Sequence, residues 1–264
     1  MSVFNHKFLK KDDLEDRKYQ SNISKACLEQ STLVILPTGM GKTVVALRIM
    51  LERLDIGKIL LMAPTKPLVQ QHFDFFNNFL KADVSLFTGA ISPSEREPLW
   101  DSSQVIISTP QVISKDIEAK RASLKDFSLV IFDEAHRAVG NYAYVSIGKH
   151  YLENANNHLS IGMTASPGSS KPEIICLCRD LGITAVENRD ENDLDVLEYI
   201  QPIKTRWVKI DMPEVVKDIA SQLRKLQDYL CGKLYKGGFL DRPRKVSTTM
   251  ILDAGKKLQR RFAQ

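Results

Sequence analysis

The sequence predicts an α/β protein: a doubly wound, mainly parallel sheet with helices on both faces, followed by a mainly helical C-terminal segment. Three observations predict it. Seven short runs rich in Val, Ile, Leu and Phe recur between residues 32 and 187. Stretches with apolar residues at helical spacing separate them. After residue 187 the runs stop, and long amphipathic stretches take over.

The runs are TLVIL (32–36), KILLMA (58–63), VSLF (84–87), QVIIS (104–108), SLVIFD (128–133), HLSIGM (158–163) and GITAVE (182–187). Most are nearly continuous in apolar residues, as expected of parallel strands buried on both faces. TVVALRIMLERL (43–54) and KPLVQQHFDFFNNFL (66–80) show helical spacing between them. Repeated β-α units imply right-handed crossovers. Phe73, Phe75, Phe76 and Phe79 read as core packing against the sheet rather than as a stacking surface. NRDENDLDVLEYIQP (188–202) reads as an acidic connector, and IKTRWVKIDMP (203–213) as a short extended stretch. A long amphipathic helix over 215–238 ends at Gly237 and Gly238, and a second helix is expected over 246–264. The domain boundary is therefore expected between residues 202 and 203, giving an α/β domain at 1–202 and a helical one at 203–264.

The chain has 264 residues, 43% hydrophobic and 26% charged, which is ordinary globular composition. Its net charge of +5 is unevenly spread. Residues 173–199 hold 2 Lys or Arg against 8 Asp or Glu, whereas 200–264 hold 15 against 6. A basic end segment suggests a polyanionic partner, although a charge-rich stretch can also be a solvated face. The four cysteines, Cys27, Cys176, Cys178 and Cys231, are too few and too scattered for a disulfide framework or a metal site. No secretory leader and no apolar run of membrane-spanning length is visible, so an intracellular, cytoplasmic and nucleoid-associated protein without membrane contact is expected.

TLVIL runs into Pro37-Thr38-Gly39-Met40-Gly41-Lys42-Thr43, after which a helix begins. Strand, glycine loop and helix in this order form the context of a phosphate-binding loop. Glycines let successive backbone N–H groups point inward at phosphate oxygens, and the helix adds its positive end. Lys42 would reach the β- and γ-phosphates of ATP, and the Thr43 hydroxyl would hold Mg²⁺. The general pattern wants glycine where this chain has Leu36. About ninety residues on, SLVIFD-EAH sets Asp133 and Glu134 at the end of an apolar strand, the end where open α/β sheets bind ligands. Asp133 suits Mg²⁺, through its water shell. Glu134 suits the general base for the attacking water. His136 would link this turn to later elements of the chain.

With both elements in place, the chain resembles the DExH branch of superfamily 2 helicases. Arg17-Lys18-Tyr19-Gln20 looks like the family's R-x-Y-Q element, whose glutamine recognises adenine. Pro64-Thr65-Lys66 falls in a motif Ia-like string, Thr88-Gly89 in a T-G element, Thr109-Pro110-Gln111 in a motif Ib-like one, and Thr164-Ala165-Ser166 matches motif III. The lack of the family's usual first loop glycine is common in this group. LPTGMGKT, LMAPTKPLVQQH, FTGAISPSER, VIFDEAHRAVGNYAY and GMTASPG look most like archaeal Hef and Fanconi-anaemia M-type helicases. Dicer and the RNA-sensing helicases share much of this wording.

The resemblance implies a RecA-like motor domain at 1–202 and the start of a basic, thumb-like helical insertion at 203–264. It implies ATP and Mg²⁺ as cofactors, and DNA, forked or branched, as the favoured partner, with RNA as the alternative. Pro64, Thr65, Lys66, Thr88, Gly89, Thr109 and Pro110 would grip phosphates of one strand. Thr164, Ala165, Ser166 and His136 would couple nucleotide state to that grip. No string here matches the second RecA-like domain, whose arginine finger is worth about 10³–10⁵ in rate in related enzymes. The isolated chain is therefore expected to turn ATP over very slowly. A nucleotide-gated binding module without catalysis is the reading from another class, and a different P-loop enzyme such as a kinase is disfavoured by Gln20 and the Thr-Ala-Ser element.

Overall fold

The computed structural model describes residues 4–11, 14–166, 171–199, 207–244 and 246–262. The chain divides into two compact units, 1–201 and 202–264. The boundary expected at 202–203 lies outside the described residues, as do Pro167 and Gly168 of the GMTASPG string.

The first unit follows the order α1 (Lys18–Glu29), β1 (Thr32–Ile35), α2 (Lys42–Arg53), β2 (Lys58–Met62), α3 (Lys66–Phe79), β3 (Val84–Phe87) and α4 (Pro93–Ser102). It continues with β4 (Val105–Ser108), α5 (Pro110–Glu118), β5 (Phe127–Asp133), α6 (Ala143–Asn154), β6 (Ser160–Thr164), α7 (Lys171–Leu181) and β7 (Ala185–Asn188). The strands lie in the order β3-β4-β2-β5-β6-β1-β7, and each neighbouring pair is parallel.

Alternation along each strand feeds two cores, one per face. Val34, Ile59, Leu61, Ile107, Ile131 and Met163 meet α1, α2 and α3. Leu33, Leu60, Met62, Ile106, Val130 and Phe132 meet α4 to α7. Two-sided burial is why the runs read as continuous apolar text. Phe76 is fully buried, and Phe73, Phe75 and Phe79 pack against the first core.

Two expectations needed correction. The seventh strand was expected at 182–187 but begins at Ala185. Gly182 takes φ +67°, its N–H donates to Arg179 O (3.3 Å), and Ile183 N–H donates to Cys178 O (2.7 Å). This paired closure ends α7 with a left-handed residue and uses up the first residues of the run. The acidic stretch after β7 is also more than a connector. Val196, 1% exposed, belongs to the first core, and Leu197–Tyr199 form a 3-10 turn. Arg189 ties the fold-back together through Glu187 (3.2 Å) and Asp195 (3.3 Å).

The second unit holds α8 (Glu214–Lys236) and α9 (Thr248–Phe262). The first of these ends at Gly237, with Gly238 at φ +75°. Cys231, Leu240 and Ala254 are buried between them, with Leu234, Phe239, Val246 and Met250 packed around. Residues 207–213 form no regular element.

Candidate active site

Registers bring three strand ends level: Ile35 of β1 pairs with Thr164 of β6, and Met163 of β6 pairs with Asp133 of β5. The phosphate loop, the acidic turn and the Thr-Ala-Ser element therefore meet at the C-terminal edge of the sheet.

The loop leaves β1 with Leu36 N–H donating to Thr164 O (3.1 Å). Gly39 and Gly41 adopt φ +88° and +76°, a region that L side chains rarely enter. A Cβ on Gly41 would also collide with the Gln20 amide. Gly41 caps α2 without a side-chain hydrogen bond, so the first N–H groups of that helix remain for an anion. Lys42 Nζ donates to Leu36 O (2.9 Å), which holds its charge over the loop. Thr38 is exposed, Met40 is buried and Thr43 opens α2 behind Lys42. Positive-φ glycines, a helix start and one lysine fit a polyphosphate. The Thr43 hydroxyl and the Asp133 carboxylate fit Mg²⁺, which takes hard oxygen ligands and keeps several waters.

Gln20 is 2% exposed. Its Nε2 lies 3.3 Å from both Met40 O and Tyr19 Oη, and Tyr19 Oη–H donates to Met40 O (2.7 Å). Tyr19 and Gln20 thus brace the phosphate loop from α1. Arg17 pairs with Glu15 (2.9 Å) and lies over the Tyr199 ring (5.6 Å). Sequence reading missed Tyr199, which approaches this element only through the fold-back after β7.

Asp133 ends β5 and is 7% exposed. Its Oδ2 lies 2.8 Å from His72 Nε2 of α3. Its backbone O accepts from Tyr144 Oη–H (2.7 Å), which also lies 3.0 Å from Met62 O. Burial pushes the Tyr144 hydroxyl far above the usual tyrosine range, so it remains a donor. Glu134 stands in the left-handed region (φ 51°, ψ 47°), which turns the chain sharply away from the strand. His136 Nδ1 is 3.0 Å from Thr164 Oγ1 and 3.3 Å from Glu134 Oε2. Thr164 Oγ1 in turn accepts from Ser166 N–H (3.0 Å). His136 and Thr164 are thus joined directly. Ser166 closes a turn on Thr164, and Ala165 spans it.

Farther along the same edge, the strands β2, β3 and β4 open onto a groove of about 640 Å³. Pro64, Lys66, Gly89, Thr109, Gln111 and Lys115 line it. Thr65 and Thr109 cap α3 and α5, with Pro67 and Pro110 in the first turns. Thr88 Oγ1 accepts from Ala90 N–H (3.3 Å) and shapes the Thr-Gly turn. Of the seven sequence-derived strand-contact residues, Pro64, Lys66, Gly89 and Thr109 line the groove, whereas Thr65, Thr88 and Pro110 are not among the residues lining it. Behind it, Asp116 accepts from Arg96 (2.9 and 2.7 Å) and Arg121 (3.2 and 2.9 Å). Nothing in the sequence marks that lock, because its partners stand on two different helices. A second cavity, of about 360 Å³, opens at the opposite edge beside Gly57, Lys58 and Lys125, and contains none of these residues.

A glycine loop at a helix start, an acidic strand end and a groove on one edge of a doubly wound parallel sheet define the RecA-like class of helicase domains. The family model described as DEAD/DEAH box helicase matches residues 17–175, and the chain belongs to that family. It is 35% identical to a Methanocaldococcus jannaschii protein that carries the name of an ATP-dependent RNA helicase, over 96% of this chain and 33% of that protein. It is 31% identical to the Drosophila melanogaster DEAD-box ATP-dependent DNA helicase Fancm, over 98% of this chain and 18% of that one. The crystal structure of the Pyrococcus furiosus Hef helicase domain superposes with a TM-score of 0.74 at 41% identity, over 97% of this chain and 56% of that one. The chain thus spans a third or less of these two curated relatives. Among the described residues no helix is long and apolar enough to cross a membrane.

Proposed function

We propose that this chain is the first motor domain of an ATP-dependent DNA helicase or translocase acting on forked or branched DNA, with the start of a basic helical insertion from about residue 203. The observation that carries the reading is the His136–Thr164 contact (3.0 Å), which joins the acidic turn to the strand beside the phosphate loop on the edge that also bears the groove. Lys42 exchanges its Leu36 carbonyl partner for β- and γ-phosphate oxygens. Gly39 to Thr43 present backbone N–H groups to the same phosphates. Glu134 orients the attacking water and accepts its proton. Thr43 and Asp133 would hold Mg²⁺, which would supply charge neutralisation at the phosphates. Arg17 and Gln20 border the place for the base. The groove holds one strand through its phosphates, by Lys66, Lys115 and helix N-termini, and this grip carries no base information.

A second RecA-like domain, in the same longer protein, supplies the missing arginines. Support comes from the share of each relative that this chain spans and from the absence of any arginine-finger string in it. RNA as the strand is the second reading, favoured by the name of the Methanocaldococcus relative.

The test is ATP turnover by this chain and by a form extended through a second motor domain, with no nucleic acid, forked DNA or duplex RNA. Turnover raised by forked DNA in the extended form, and lost in Lys42→Ala, is the expected result. Stimulation by RNA alone favours the second reading. No stimulation in the extended form leaves a nucleotide-gated binding module.

A further inference from the structure

His72 ends the LMAPTKPLVQQH string but is given no role by the sequence, yet it touches the carboxylate on which the metal side of the site depends. It lies on α3, buried, with Nε2 2.8 Å from Asp133 Oδ2. A carboxylate oxygen accepts, so Nε2 carries the hydrogen. The other ring nitrogen, Nδ1, is buried and has no hydrogen-bond partner among the described residues. A buried polar atom with no partner costs stability, and apolar side chains in place of the whole pair would serve the core better. Phe76, one turn on, stacks beside the ring at 6.1 Å and holds its orientation. The pair is therefore a poor device for stability and a good one for fixing a carboxylate.

We propose that His72 is a positioning residue for Asp133. Its Nε2–H holds Oδ2 and so fixes the rotamer of the carboxylate that would face a bound Mg²⁺. Hydrogen bonds of this kind to metal-side ligands change metal affinity by about 10–100-fold. The same helix begins at Lys66, on the wall of the groove. Lys66 on the groove wall and His72, which holds the metal-side carboxylate, thus stand six residues apart on one helix. The inference rests on the proposed reading of Asp133 as a Mg²⁺ residue.

The experiment is MgCl₂ titration of a fluorescent ADP analogue bound to the 264-residue chain, for the unaltered protein and for His72→Leu, His72→Gln, Asp133→Asn and Lys42→Ala. In His72→Leu the melting temperature is expected to fall, because the buried Asp133 carboxylate loses its partner. Binding in EDTA stays unchanged, and the Mg²⁺ midpoint climbs about tenfold. His72→Gln, whose side-chain amide can donate to the same oxygen, recovers most of that shift. A Mg²⁺ midpoint unmoved by His72→Leu, or equally displaced in Leu and Gln variants, overturns the proposal alone. Binding that survives Lys42→Ala overturns the phosphate-loop reading, and this proposal with it.

Discussion

Glu134 is held by a backbone that a glutamate visits at a cost, φ 51° and ψ 47°, and such strain persists where the surrounding structure enforces it. The turn separates two adjacent carboxylates: Asp133 stays buried against His72, while Glu134 emerges near His136. Their roles separate in the same way. On the proposed reading, Glu134→Gln keeps the shape and loses the base. In a form completed by a second motor domain, turnover is expected to fall about 10²–10⁴-fold with nucleotide binding retained, as read by steady-state kinetics beside equilibrium binding. Gly41 is the opposite case, where no side chain is tolerated. Gly41→Ala meets both a left-handed backbone and the Gln20 amide. A loss of about 1–2 kcal/mol on thermal melting is expected from the backbone alone, together with weaker nucleotide binding. An alanine that bound nucleotide normally would show that Gln20 does not brace the loop.

Among the elements, the groove owes its shape to the contact between α4 and α5. Arg96 and Asp116 are 5% and 1% exposed, and Arg96 also donates to Ile91 O at the loop after Thr88-Gly89. Removing one partner of a buried pair costs about 3–5 kcal/mol when the other charge is left stranded. Arg121 still pairs with Asp116 in Arg96→Ala, so a smaller loss of stability in denaturant unfolding is expected, together with weaker nucleic-acid binding. Burial alone would raise the Asp116 carboxyl, but the hydrogen bonds from Arg96 and Arg121 outweigh it and hold it below its ordinary value. A depressed carboxylate contributes stability that is fully present above the unfolded value, about 3.9. That contribution is lost as pH falls through the lower folded value. Acid unfolding below about pH 4 should therefore be less steep in Asp116→Asn, as followed by circular dichroism.

At the scale of the molecule, charge decides association. Strand binding through Lys66, Lys115 and the basic second unit should weaken linearly in log salt. The slope should shrink when residues 207–264 are removed, as measured by fluorescence anisotropy on forked DNA. Equal slopes would exclude the second unit from the contact. Much of this organisation is legible in the sequence. Two-sided burial writes itself into a sequence as Val/Ile/Leu runs, so the strands can be read from text such as SLVIFD. Glycine loops and acidic strand ends are contiguous strings, so Lys42, Asp133 and Glu134 can be read as well. His72, Arg96, Asp116 and Tyr199 cannot, because each acts across a gap of twenty to almost two hundred residues that only folding closes.

The fold-back after β7 bears on how this domain can be handled. Val196 fills the same core as Tyr19 and Met40, and Tyr199 rests against Arg17 and Tyr19. A cloning boundary at Asn188, where the last strand ends, would uncover the ground beneath α1 and loosen the residues that prop the phosphate loop. Expression of the first unit by itself should extend past Tyr199. A shorter product would look correctly folded by its strand content while having lost its grip on nucleotide.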